Sequence, residues 1–439
     1  MKDKNQRLIL AWAGYDWANS AFTTLVVTFV YATYFSQAIA PDEVAGMTLW
    51  SRAVAISGIF IAILAPFLGT LADRSETRHR YLITTTLICV AATCLLTFIE
   101  PGQPHAVLFA LVTFVIANCA FEIGTVFYNA FLPDIAPAEK IGRISGFGWG
   151  IGYLGGLLCL SMALLILVRD DPLLGISTVA GFNYRASNLL VAIWFLIFSI
   201  PALLLLRTSK DRPRQSPPIR SQGTIGSFRA FRETLGEMSI YRDTLRFLIA
   251  RLIYNDGMVT IFAFGGIYAA TTFGLSLSEV IQFGIGINVA AGIGAVLAGP
   301  LDDRFGGKNM VLGTLIALAV FTLLAAIAPN KTWLWVAGIG IGIFAGPNQA
   351  ASRSLLGRFA PIHRRNEFFG LFAFSGKITA FLGPLLLGLA TQWTGNPRIG
   401  VATVLGFFLI GGFLLWSVDE ERGVVQSSTV GEEAKTDLQ

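Results

Sequence analysis

Along most of this chain polar positions are sparse and clustered, and the apolar runs between them last about 20 residues or more. That is the length a helix rising about 1.5 Å per residue needs to cross about 30 Å of hydrocarbon. Twelve such runs can be drawn, starting near Leu8, Ala53, Tyr81, Val107, Ile144 and Leu189, then near Phe247, Val280, Met310, Trp333, Phe368 and Ile399. In lipid every backbone N–H and C=O must find a partner, so only helices or closed barrels span, and these runs are too long for barrel strands. An all-α integral membrane protein with twelve transmembrane helices is therefore expected. Composition agrees: 54% of residues are hydrophobic, 13% are charged and the mean hydropathy is +0.65, values foreign to soluble enzymes, disordered chains and disulfide scaffolds. Lys2, Lys4 and Arg7 precede the first run, which lacks a small-x-small cleavage site and reads as an uncleaved first helix.

The net charge of +5 is modest, and placement says more than the total. Loops on the N-terminal side of alternate spans hold most of the Lys and Arg, from Arg74, Arg78 and Arg80 to Arg304 and Lys308, whereas the opposite loops hold Arg52, Arg169, Arg185, Lys331 and Arg398. By the positive-inside rule both termini should be cytoplasmic, in a multi-pass protein of the cytoplasmic (inner) membrane. A polar, Pro- and Arg-rich stretch divides the chain, giving an N-terminal six-helix bundle over 1–206, a basic linker over 207–243, a C-terminal six-helix bundle over 244–418 and a cytoplasmic tail over 419–439. The halves echo one another. Gly69-Thr-Leu-Ala-Asp73-Arg74 with Arg78 recurs as Gly299-Pro-Leu-Asp-Asp303-Arg304 with Lys308, and Glu139, Gly142 and Gly155 recur as Glu367, Gly370 and Gly383. Two related six-helix bundles are the expected build of a rocking secondary transporter.

The Gly-x-x-x-Asp-Arg pattern followed by basic residues, in the loop between spans two and three and again in the second half, resembles the signature of the major facilitator superfamily. The resemblance implies two pseudo-symmetric six-helix bundles. It also implies that Asp73, Arg74, Arg78, Asp303, Arg304 and Lys308 gate the cytoplasmic side by bridging to neighbouring helix ends. The first copy departs from the pattern with Glu76 at the usual glycine, which Gly306 keeps in the second. A narrower resemblance rests on Tyr15-Asp16-Trp17-Ala18-Asn19-Ser20-Ala21-Phe22, Tyr128-Asn129-Ala130-Phe131-Leu132-Pro133 and Tyr254-Asn255-Asp256-Gly257. These look like the unknown major facilitator family, related to the autophagy-linked vacuolar amino-acid effluxers.

Five ionisable residues fall inside spans, where an unpaired charge is costly and a functional role is the default reading. Asp16, Glu122, Asp256 and Lys377 lie about 12–16 Å from the nearest cytoplasmic helix end, and Arg251 about 9 Å. The resemblance implies that spans one, four, seven and ten line a central cavity, and the three acids stand on the first three of these. In span four, Asn118, Glu122, Thr125 and Asn129 form one polar stripe at i, i+4, i+7 and i+11. Span ten adds Asn348, Gln349, Ser352 and Arg353 after Gly346-Pro347, which reads as a break that exposes carbonyls. The candidate solute and ion set is Tyr15, Asp16, Asn19, Glu122, Asn129, Arg251, Tyr254, Asn255, Asp256, Asn348 and Lys377. Each also has a packing role to weigh: Lys377 as the partner of Asp16 or Asp256, and Arg251 as a snorkelling or locally paired side chain. The five charges sum to minus one, which leaves one carboxylate over for proton coupling, with Asp16, Glu122 and Asp256 as the contenders.

No His and no paired Cys lies at the midplane, so no catalytic constellation, metal site or cofactor is expected. The glycine series Gly146, Gly148, Gly150, Gly152, Gly155 and Gly156 in span five reads as close helix packing, not as a nucleotide loop. The leading reading is a secondary active transporter for a small polar solute, an amino acid or similar zwitterion, working by alternating access with proton coupling. An exporter of amphipathic compounds and a lipid-headgroup flippase are the alternatives on the same fold. Expected partners are the solute, protons and membrane lipids, with no nucleic acid, in a protein that works as a monomer.

Overall fold

The computed structural model describes residues 2–75, 77–169, 171–206, 236 and 240–427. Glu76, most of the expected linker and the end of the tail lie outside the described residues. Among the described residues eleven helices are long and apolar enough to cross a membrane. These are spans one (Asn5–Ile39), two (Glu43–Ser75), three (Arg78–Leu96), four (Ala106–Ile135), five (Ala138–Ile166), six (Val179–Leu205), seven (Arg242–Phe273), eight (Ser278–Phe305), nine (Gly307–Ile327), eleven (Arg365–Thr394) and twelve (Pro397–Trp416). Lys331–Phe359, a 29-residue helix made less apolar by its Asn, Gln, Ser and Arg, is span ten.

Spans one and eleven depart from single straight helices. Span one passes from an α-helix, Lys2–Ala21, into wide π-helical turns over Phe22–Phe29 and Phe35–Ile39. Its hydroxyls bond back to the chain there, Ser20 Oγ to Asp16 O at 2.7 Å and Thr28 Oγ1 to Thr23 O at 2.9 Å, a competition that distorts helices. Span eleven is in two pieces, Arg365–Lys377 and Leu382–Thr394. Pro384 stands in the first turn of the second piece, where its missing N–H is tolerated, and the carbonyl of Ala380 could not have bonded it in a continuous helix. Span ten corrects an expectation in the opposite sense: the helix runs unbroken through Gly346-Pro347. The carbonyl that Pro347 deprives of a donor is that of Ile343, and it faces Gly294 of span eight so closely that a Cβ there would collide with it. Close packing covers that carbonyl.

The chain folds into two compact units. The first comprises Met1–Ile61, Thr77–Tyr128 and Ile151–Thr208. In it span one packs along span six, and span three along span six. Gly155 lies against the backbone of Trp17, and Gly152 and Gly156 against Asp16 and Ser20, so the glycines of span five do seat a neighbouring helix. The second unit comprises Ala62–Glu76, Asn129–Gly150 and Ser209–Gln439. Its pairs are spans eight and ten, nine and ten, seven and twelve, and nine and twelve, and span seven also packs on both pieces of span eleven. Gly146 and Gly150 lie against Ala295 and Val296 of span eight, and Gly342 and Gly346 against Ile287 and Ala291, all within this unit. Small residues bring backbones together where lipid offers no hydrophobic drive for association.

Candidate functional site

The candidate residues divide between the units. In the first, Tyr15 is buried and stacks on Tyr128, and its hydroxyl shares a hydrogen bond of 2.8 Å with Thr86 of span three. Trp12 also stacks on Tyr128 and donates Nε1–H to its carbonyl at 3.1 Å. Asp16 and Glu122 are half-buried and Asn19 is buried. Of the span-four stripe, Asn118 donates to Ser57 Oγ of span two at 2.7 Å, and Thr125 bonds back to Phe121 O. The aromatic segment of span one thus holds spans three, four and six together, with Asp16 and Asn19 on its flank.

In the second unit the structure gathers Arg251, Tyr254, Asn255 and Asp256 on span seven, and each of them engages another span. Arg251 donates Nη1–H to Phe372 O at 2.6 Å and Ser375 Oγ at 2.9 Å, and its guanidinium lies 3.4 Å from the centre of the Phe372 ring. Tyr254 shares a 2.8 Å hydrogen bond with Ser352 of span ten. Asn255 donates to Gly376 O at 3.0 Å. Asp256, 1% exposed, accepts at Oδ1 from Thr379 at 3.1 Å, and its Oδ2 is buried with no partner among the described residues. Lys377 is the last residue of the first piece of span eleven, at the edge of the same cluster. Asn348, fully buried, donates to Thr314 Oγ1 at 3.0 Å, which ties span ten to span nine.

The repeated acidic loops also find helix ends. Asp73 accepts from the backbone N–H of Asn366 at 3.2 Å and of Glu367 at 2.8 Å, the first turn of span eleven. Asp303 accepts from Gly142 N at 2.8 Å and Arg143 N at 3.2 Å, the start of span five. Both carboxylates satisfy the unpaired donors of a helix N-terminus, the end where negative charge is favoured. Of the basic members, Arg78 is buried, Lys308 offers its backbone N–H to Glu420 Oε2 at 2.8 Å, and Arg304 is exposed, its guanidinium 5.3 Å from the Phe305 ring centre. Gly306 has φ +86°, a conformation that suits glycine, so the second copy makes its turn as the pattern requires.

Much of the surrounding network is invisible in the sequence. Asp302 pairs with Arg358 at 2.8 Å and accepts from Ser354, Arg365 pairs with Asp134, and Glu367 accepts from Thr70 at 3.0 Å. Asn129, expected to face solute, accepts from Arg353 Nη1 at 3.3 Å. Arg353 also donates to Ser145 Oγ at 2.9 Å and Ser145 O at 2.7 Å, and is itself buried. The tail joins in: Glu420 accepts from Gly307 N at 3.0 Å and pairs with Arg358 at 3.4 Å, and Arg422 grips the fully buried Asp243 with Nη2 at 2.8 Å. The sequence signals for these are the repeat that includes Glu367 and the charges near span ends, of which positive-inside bias already accounts for the Lys and Arg. Because Arg353 makes several charge-assisted bonds, Arg353→Ala is expected to lower stability by about 2 kcal/mol or more. Arg353→Lys should recover little, since an ammonium cannot fork between Ser145 and Asn129. Thermal unfolding of the three proteins in one detergent checks this.

Among the described residues no group of His, Cys, Asp and Glu is placed to hold a metal ion. Residues 39–428 match the family model described as "Vacuole effluxer Atg22 like". The uncharacterized MFS-type transporter YxiO of Bacillus subtilis is 28% identical over 417 residues, 94% of each chain. Autophagy-related protein 22 of Kluyveromyces lactis is 24% identical over 343 residues, 70% of this chain and 67% of that one. Among solved structures, the major facilitator proton:xylose symporter XylE superposes with a TM-score of 0.77 over 98% of this chain and 99% of that one, at 14% identity. The fucose:proton symporter FucP of E. coli gives 0.71 over 94% and 98%, at 15% identity. The fold is that of the major facilitator superfamily, and the family model and these structural neighbours describe transporters, not enzymes. This multi-pass membrane chain belongs to the Atg22-like effluxer family of major facilitator transporters.

Proposed function

We propose that the chain is a secondary active transporter that moves a small polar solute, an amino acid or similar zwitterion, across the cytoplasmic membrane by alternating access coupled to protons. The observation that carries this reading is the span-seven cluster. Asp256, with an unpartnered oxygen at 1% exposure, stands five positions after Arg251 on span seven and accepts from Thr379, two positions after Lys377. A buried carboxylate suits a coupling proton, and the basic groups near it suit the carboxylate of a zwitterion. The effluxer description of the family supports export, the resemblance of the span-one, span-four and span-seven motifs to vacuolar amino-acid effluxers supports the amino-acid reading, and the Lys and Arg bias supports cytoplasmic termini. Asp73 and Asp303, each bonded to a helix N-terminus, are proposed as the cytoplasmic gate.

A ligand that binds the folded state raises stability by about 2.7 kcal/mol at a hundred times its dissociation constant. Thermal unfolding of the purified protein with each amino acid in turn should therefore pick out one or a few that stabilise it. Stabilisation by sugars or amphipathic cations, with none by any amino acid, would replace the zwitterion reading with another substrate class.

A further inference from the structure

The interruption of span eleven lies against Asp256, and the bonds around it are unlike those of a frayed helix. Ala380 N turns to Lys377 O at 3.3 Å and Leu382 N to Thr379 O at 2.7 Å, so the chain tightens through Ile378–Phe381. Gly376 O, which a continuous helix would give to Ala380 N, takes the amide of Asn255 instead. The hydroxyl of Thr379, inside the turn, reaches Asp256 Oδ1 at 3.1 Å and Leu252 O at 3.3 Å. On the far side Gly383 is pressed so closely on Thr260 Oγ1 and Asp256 O that any Cβ would collide. Span seven therefore holds both ends of the turn and its centre, and the centre is held by a carboxylate.

We propose that Asp256 and the turn Ile378–Phe381 form a cation-loaded hinge, in which a monovalent cation, a proton or a sodium ion, at the Asp256 carboxylate keeps the turn closed, and loss of that cation opens it. The inference deepens the coupling reading above and rests on it for its place in transport. The physical cause is the second carboxylate oxygen. Oδ2 is buried with no partner among the described residues, and an ionised group in that position lacks both water and a counter-donor. Neutralised, the carboxyl fits the closed arrangement and Oδ1 still accepts from Thr379. Ionised, it gains by admitting water, and the Thr379 clasp is the contact that must yield. Discontinuous helices at such positions are where transporters place ions, because the backbone there is free to rearrange.

The charged neighbours are few. Arg251 lies on the same helix and bonds to Phe372 and Ser375, and Lys377 ends the first piece of span eleven. The second piece of span eleven carries no charge, and neither does span eight between Glu279 and Asp302 nor span twelve after Arg398. On span ten Arg353 is occupied by Ser145 and Asn129, and Arg358 by Asp302 and Glu420. Tyr254 bonds to Ser352.

Hydrogen–deuterium exchange of peptides covering 374–386, in nanodiscs without solute, tests the hinge. It is compared at about pH 5 and about pH 9, a range that spans documented titrations of buried carboxylates, after correction for intrinsic exchange. In potassium buffer the wild type should exchange at least about tenfold faster at the higher pH, as a locally opened segment does. Asp256→Asn should stay protected at both, and Thr379→Val should be open at both, whereas Thr379→Ser follows the wild type. If sodium restores protection at the higher pH, the cation is sodium; if it does not, the cation is a proton. A wild-type turn that responds to neither pH nor sodium, or an Asp256→Asn protein that responds as the wild type does, overturns the hinge. The readout needs no solute, so its failure leaves the transport reading standing, and failure of transport leaves this result intact.

Discussion

Replacing Asp256 with Asn should abolish gradient-driven accumulation while leaving solute exchange close to wild type. Asn keeps the size of the side chain and an oxygen for the Thr379 hydroxyl, which lies 3.1 Å from Asp256 Oδ1, but it cannot carry a charge. A carrier fixed in the neutral state still shuttles when loaded, and it has no proton to return. One coupled proton across one pH unit is worth about 1.4 kcal/mol, an accumulation of up to about tenfold. The variant should therefore fall from that ratio to equilibration, with counterflow of labelled solute retained. The measurement is uptake into proteoliposomes with and without an imposed pH difference, beside counterflow on the same vesicles. Equal accumulation by variant and wild type would move the coupling role to Asp16 or Glu122, the other acids in spans one and four.

The second large effect is expected at the acidic loops. Asp73 caps the first turn of span eleven through Asn366 and Glu367, and Asp303 caps the start of span five through Gly142 and Arg143. A helix cap is worth about 0.5–2 kcal/mol, so removing both in Asp73→Ala/Asp303→Ala should shift the balance between closed and open cytoplasmic ends by between about fivefold and several hundredfold. Spin labels at the exposed Ser75 and His363 report it directly. The parent protein should show one short distance, and the double variant a second, longer population. Asp73→Asn, which keeps a hydrogen-bonding oxygen without charge, should fall between them. An unchanged distance distribution in the double variant would confine these carboxylates to helix capping with no part in gating.

What the sequence discloses is set by periodicity and charge. Long apolar runs between basic loops announce the spans, because lipid leaves the backbone no other way to satisfy itself. The two acidic loops announce themselves by repetition, and Asp73 and Asp303 do meet helix ends. Legibility fails where a residue's role depends on a helix distant in sequence. Asn129 looks like part of a solute stripe, but its partner Arg353 is 224 positions away. Asp243 and Arg422 look like unrelated loop charges, yet the arginine clasps the buried carboxylate. Proline misleads in both directions. Pro347 reads as a break, yet its helix is continuous, with the orphan carbonyl of Ile343 close against Gly294 of span eight. Gly376 and Gly383-Pro384 do mark a real interruption, and the spacing of two glycines and a proline inside one apolar run is the signal for it. Each proline removes an i→i−4 hydrogen bond, yet one helix runs on and the other is in two pieces.

The purified protein is expected to move a zwitterion against its gradient. Proteoliposomes given a mixture of labelled amino acids, with and without an imposed proton gradient, test this most directly. Accumulation of one or a few amino acids that collapses when the gradient is dissipated is the predicted result. Absence of amino-acid movement in either condition, from protein shown to be folded by its thermal transition, would contradict it.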